Sequence, residues 1–192
     1  MLTITVYQAS GEVSTYVQHD TEVAAQILDR LNPARLFTEN RILIGSPSGL
    51  GIYNGHRISR LDVEADQTLA TLLPAPQPGP VATVMDNALW EEEFRNPDAP
   101  ADYGIPQGEL FTLGIQIGLL GKHRISARIT AELIAPMERI NAISNVLNRP
   151  FIRLNIGPNG VALLNPAAIC RVTLQPAFST LPQDTWPATR IG

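Results

Sequence analysis

The residues able to do chemistry are few and scattered. His19, His56 and His123 are the only histidines. They fall at a strand end, in a turn and at a strand start, and no spacing between them puts two rings on one face as metal ligands. Each reads as a surface or turn histidine. The single cysteine, Cys170, lies in an alternating strand pattern with Val172 and Leu174. That places it on a core face, as a small buried hydrophobe rather than a thiolate nucleophile, which needs exposure and a cationic setting. Glu91, Glu92 and Glu93, with Asp98 and Asp102 beyond them, resemble a carboxylate cluster. Consecutive helical positions point about 100° apart, so the three glutamates cannot converge on one ion. They read as a solvated or docking face.

Lys122, Arg124 and Arg128 alternate onto one strand face, with Arg149, Arg153 and Arg171 further along. This is a candidate surface for an anion or nucleic acid. No aromatic side chain interleaves it, as single-strand binding wants, and the chain as a whole carries a net charge of −4. Neutralisation by an acidic part of the same chain is the simpler use of these charges, and nucleic acid is not expected as a partner. The glycine-rich stretch Gly45-Ser46-Pro47-Ser48-Gly49 lacks the Lys-Ser/Thr of a phosphate loop and reads as a hairpin turn. No HExxH, GxSxG or paired CxxC occurs. No catalytic residue, cofactor-binding residue or metal ligand is assigned, and no cofactor is expected.

The elements that would position any site show an internal echo. Arg41 to Val63 reads RILIGSPSGLGIYNGHRISRLDV, and 111 residues later Ile152 to Leu174 reads IRLNIGPNGVALLNPAAICRVTL. Aligned without a gap, the two share Leu43/Leu154, Pro47/Pro158, Gly49/Gly160, Asn54/Asn165, Ile58/Ile169 and Arg60/Arg171. Pro-x-Gly supplies a turn and the asparagine a second break. Upstream, Leu2, Ile4 and Val6 alternate, as do Val13, Thr15 and Val17, giving a hairpin over 2–18. Asp20 or Thr21 caps a helix whose stripe is Val23, Ala24, Ile27, Leu28 and Leu31, ended by Asn32-Pro33. The second half repeats the order. Leu110 to Leu120 and a strand through Ile125, Ala127 and Ile129 come first, then a helix from Pro136 with Ile140, Ile143 and Leu147 on one side.

Between the halves, Pro74, Pro76, Pro78 and Pro80 forbid sheet pairing and favour an extended connector. A short helix over 84–95 follows, with Asp86 near its start, and Trp90 and Phe94 close to one side. The expected fold is α+β. It has two tandem copies of a small antiparallel sheet with one helix each, ordered strand-strand-helix-strand-strand-strand, at 1–66 and 110–176. A Pro-rich acidic arm over 67–109 joins them, and a surface tail covers 177–192 with Phe178 and Trp186 as anchors. Units of about 65 residues bury little alone, so the copies are expected to pack on each other.

Charge is unevenly shared. Residues 1–66 carry −3, residues 67–109 carry −6 and residues 110–192 carry +5, so the arm and the C-terminal unit are complementary. No apolar run approaches the ~18 residues of a membrane span, and the N-terminus lacks the pattern of a signal peptide. One cysteine fits a reducing cytoplasm. Ile58 and Ile169 lie opposite the apolar face of the last strand in each half, so both faces of that strand ask for cover. The expectation is a cytoplasmic, non-enzymatic protein acting through protein association or self-association as a homo-oligomer, with Trp90, Phe94, Ile58 and Ile169 as contacts. Two alternatives stand beside it: an anion or nucleic-acid module on Lys122, Arg124 and Arg128, and an enzyme with a cleft between the units. A small-molecule ligand is left open.

Overall fold

The computed structural model describes residues 1–46, 49–94, 105–176 and 185–186. Strands β1 (Leu2–Gln8) and β2 (Val13–Gln18) form the first hairpin. Helix α1 (Thr21–Arg30) follows, capped by Asp20, whose carboxylate accepts from the Glu22 and Val23 amides at 2.9 and 3.0 Å. Its Ala24 and Leu28 are buried on the sheet. Asn32-Pro33 does more than stop this helix. The Asn32 side chain accepts from the Ala34 amide at 3.2 Å and starts a second short helix, α2 (Pro33–Leu36). Then come hairpin β3 (Ile42–Ser46) and β4 (Gly49–Tyr53), a 3-10 turn capped by Asn54, and β5 (Ile58–Ala65), which returns to pair with β1.

After the proline stretch, β6 (Ala82–Met85) and α3 (Asn87–Phe94) lead to the second half. Asp86 caps α3 by accepting from the Ala88 amide at 2.8 Å. The second half comprises β7 (Leu110–Leu119), β8 (Arg124–Glu132), α4 (Pro136–Leu147), hairpin β9 (Ile152–Ile156) and β10 (Gly160–Leu164), a 3-10 turn capped by Asn165, and β11 (Ile169–Gln175). Here β11 returns to pair with β7. The registers coincide. Ile4↔Val63, Thr5↔Asp62 and Val6↔Leu61 in the first half match Ile115↔Leu174, Gln116↔Thr173 and Ile117↔Val172 in the second, each number raised by 111. The irregularity at Gln8↔Ile58 is repeated at Leu119↔Ile169.

The expectation of two small sheets packed on each other is corrected. Among the described residues nine strands form one sheet, in the order β11-β7-β8-β6-β9-β10-β5-β1-β2, and β3-β4 stands apart as a two-stranded sheet. One strand pairing fuses the halves. Strand β10 pairs antiparallel with β5, Val161 opposite Val63 and Leu163 opposite Leu61. Strand β6, from the segment read as connector, bridges β8 and β9. An unpaired edge is a template for another strand, and each half supplied one to the other. The prolines at 74–80 lie outside all strands; β6 begins beyond them at Ala82.

One core gathers α1 with Leu2, Val6, Ile58, Leu61 and Val63, and includes Val161 and Leu163 of β10. A second centres on Ile117, Ile125, Ile152, Leu154 and Leu164. Strand β10 serves both, and every residue of it is buried. Gly114 marks a close approach in the sheet. A Cβ there would sit 2.6 Å from Phe94 ring atoms and 2.8 Å from Trp90 Nε1. Gly114→Ala is expected to lower stability by about 1–3 kcal/mol through overpacking. Gly49→Ala, with nothing within 4 Å of the added carbon, serves as control; denaturant melts of the two variants measure the difference.

Candidate interaction surface

The basic strand is engaged by the arm. Helix α3 lies against β8, where Ser126 Oγ donates to Asn87 Oδ1 at 2.7 Å and Arg128 forms an ion pair with Glu93. Lys122 sits in the turn before β8 with a left-handed backbone (φ 63°), and both it and Arg124 are exposed. Arg149 and Arg153 are committed elsewhere. Arg153 Nε donates to the Pro74 carbonyl at 2.7 Å and Arg149 donates to that of Pro78 at 3.1 Å. Gln77 Nε2 bonds the Phe151 carbonyl at 3.2 Å. These side chains tie the proline stretch to the sheet; burial lowers the Arg153 pKa.

Trp90 and Phe94, expected as partner contacts, are 2% and 7% exposed. Their rings lie tilted against each other at 5.7 Å between centroids and face Gly114, so they anchor the arm inside the molecule. The Trp90 indole N–H is buried without a hydrogen-bond partner among the described residues. Ile58 is covered by the first core, whereas Ile169, at the matching position of β11, is half-buried. Cys170 is exposed, not on a core face. The irregularity between Ile169 and Arg171 breaks the alternation on which its burial was inferred. Its counterpart Ser59 is fully buried and donates to the Tyr7 carbonyl at 3.0 Å.

His19 and His56 are exposed, and His123 Nε2 donates to the Gln8 carbonyl at 3.0 Å. Among the described residues no three His, Cys, Asp or Glu side chains gather as metal ligands. Glu91, Glu92 and Glu93 are exposed; Asp98, Asp102, Phe178 and the Pro47-Ser48 turn lie outside the described residues. Trp186 is 93% exposed. Arg60 is engaged within its own strand. Its Nε and one terminal nitrogen bond the two oxygens of Asp62 at 2.6 and 2.5 Å, and its guanidinium lies 4.5 Å from the Tyr7 ring centroid. Burial raises the Asp62 pKa, opposed by Arg60, and burial followed by the Asp62 charge raises that of Tyr7.

Among the described residues three features remain without cover. Hairpin β3-β4 pairs with no other strand among the described residues. Leu43 and Ile52 lie opposite each other on its outer side and are 52% and 67% exposed, with Leu50 at 62%. Ile42, Ile44 and Tyr53 on its inner side join the first core, and the Tyr53 hydroxyl is hydrogen-bonded to that of Tyr16 on β2. Strand β11, at the end of the nine-stranded sheet, is hydrogen-bonded on one side only among the described residues. An apolar cavity of about 170 Å³ lies beside it, lined in part by Ile115, Ile117, Ile169, Val172 and the α4 residue Ile143. The alternation in Leu50-Gly51-Ile52-Tyr53 was the one sequence signal for the hairpin's exposed side.

The surface is therefore that of an α+β, largely antiparallel protein with an apolar hairpin and, among the described residues, an unpaired strand edge, and no described helix is long and apolar enough to cross a membrane. No family model matches this chain, and neither a curated protein nor a solved structure matches it.

Proposed function

We propose that this chain is a non-enzymatic cytoplasmic protein, made of two copies of one sheet-and-helix unit, that acts by associating with other protein through its uncovered strand edges. The coincident registers of the two halves support the duplication. The observation that carries association is hairpin β3-β4, with Leu43, Leu50 and Ile52 on one exposed side. Contiguous apolar surface of this kind marks a contact site, and strand edges recruit strands. The basic strand is less suited to the role, since Glu93 already engages Arg128.

The test is light scattering on the purified chain over a wide concentration range, and sizing of the chain in its native extract. A mass above the monomer is expected in at least one setting, with return to the monomer in Ile52→Asp. A monomer in both settings, indistinguishable from the variant, would end the association reading.

A further inference from the structure

We infer that the partner is a second copy of this chain, joined head to tail by antiparallel pairing of β4 in one copy with β11 in the next. The inference rests on the association reading above and adds to it the partner and the register.

The chain already contains the joint once. Strand β10, the outer strand of the second hairpin, pairs with β5, the return strand of the first half: Gly160↔Glu64, Val161↔Val63, Ala162↔Asp62, Leu163↔Leu61 and Leu164↔Arg60. The matching hairpin strand in the first half is β4, and the matching return strand in the second is β11. Among the described residues both lack a partner on the side that β10 and β5 use. Lowering the β10 numbers and raising the β5 numbers by 111 gives the missing joint. Leu50 of one copy meets Leu174 of the next, and Ile52 meets Val172.

Side-chain environments agree with an interface filled in one place and open in the other. Val161 and Leu163 are 0% exposed, whereas Leu50 and Ile52, at the same positions, are 62% and 67% exposed. Asn165 caps its 3-10 turn, donates its amide hydrogen to the Ser59 carbonyl at 3.0 Å and its side-chain Nδ2 to the Ile58 carbonyl at 2.9 Å. Asn54 caps its own turn in the same way, accepting from the His56 amide at 3.0 Å, but is exposed. The carbonyls awaiting it would be those of Cys170 and Ile169. Ser59 is buried beneath the filled joint; Cys170 is exposed at the open one.

The apolar complement is present too. Ile4, Val6, Ile58 and Leu61 share a core with Val161 and Leu163. Their counterparts Ile115, Ile117, Ile169 and Val172 line the 170 Å³ cavity, where Leu50 and Ile52 of the next copy would enter. The two edges differ from each other, so the contact is heterologous and propagates, closing as a ring or continuing as a chain.

The experiment uses full-length chains carrying Cys170→Ser, with Ile52→Cys in one preparation and Val172→Cys in another, mixed and treated with a short bis-maleimide. Pairing raises local thiol concentration, so the hetero-cross-link is expected roughly tenfold or more above that of Val172→Cys mixed with Val17→Cys, on the opposite sheet edge β2. In the unmodified chain, the Cys170 thiol should react with a disulfide reagent more slowly as association proceeds. Association seen by scattering without the 52–172 cross-link, or with Cys170 unchanged in reactivity, overturns the inference and leaves the association reading standing. So does a purified chain that stays monomeric while the extract holds it in a complex, or one that associates only after residues 177–192 are removed. A monomer in every setting sinks both.

Discussion

Replacing Arg60 with methionine is expected to cost about 3 kcal/mol of stability, because it strands a carboxylate inside the sheet. The Asp62 and Arg60 side chains are 7% and 11% exposed and bonded through two parallel contacts. The net benefit of such a pair over apolar groups of similar size is small, since both charges were desolvated to make it. The double variant Arg60→Met/Asp62→Leu is therefore expected to recover most of the loss. A double-mutant cycle by denaturant unfolding measures this, and simple additivity of the two single losses would contradict it. The pH dependence has a definite sign. Burial raises the Asp62 pKa above 3.8 even beside Arg60, so the folded state binds this proton more tightly than the unfolded one. The contribution of this group to stability is thus greatest below the unfolded pKa and declines as pH rises through the folded one. Without Arg60 the folded pKa rises further, and the deficit of Arg60→Met should shrink as pH is lowered through that window. A deficit constant from neutral to acid pH would show that the lost interaction was not with a charged Asp62.

Leu163→Ala is expected to cost about 3–4 kcal/mol, in the range found for fully buried leucines. Ile52→Ala, at the matching position of the other hairpin, should change monomer stability by less than about 0.5 kcal/mol, as surface substitutions do. Leu163 is 0% exposed between β5 and its own hairpin, whereas Ile52 is 67% exposed. The comparison belongs at a protein concentration low enough to hold the chain monomeric, followed by denaturant. At high concentration Ile52→Ala should instead weaken association, because the same side chain then has a core to enter. Equal losses at low concentration would mean that Ile52 is already packed within its own chain.

Local chemistry was legible in the sequence because it depends on near neighbours. The alternation of Leu2, Ile4 and Val6 announces a strand, and Asp20 announces a helix start, because a cap needs only amides two or three residues ahead. The echo of Arg41–Val63 in Ile152–Leu174 was visible as well, but not its phase. Ser46 faces Gly49 in the first hairpin and Ile156 faces Gly160 in the second, one residue more in the loop. Leu43 therefore takes the place of Arg153 rather than of Leu154, which explains why it is exposed.

What tertiary structure decided was the identity of neighbours. Trp90 and Phe94 look like a contact patch until Gly114 is brought beneath them, and Cys170 looks buried although its counterpart Ser59 alone has a neighbouring strand and Asn165 beside it. Nor does any residue in β10 announce that it will pair with β5 rather than β11. Every strand edge offers the same row of N–H and C=O groups, so the choice falls to side chains far apart in the chain. The sequence thus determined most of the local pieces; only the assembled chain decided which edges meet, and among the described residues it left β4 and β11 without a mate.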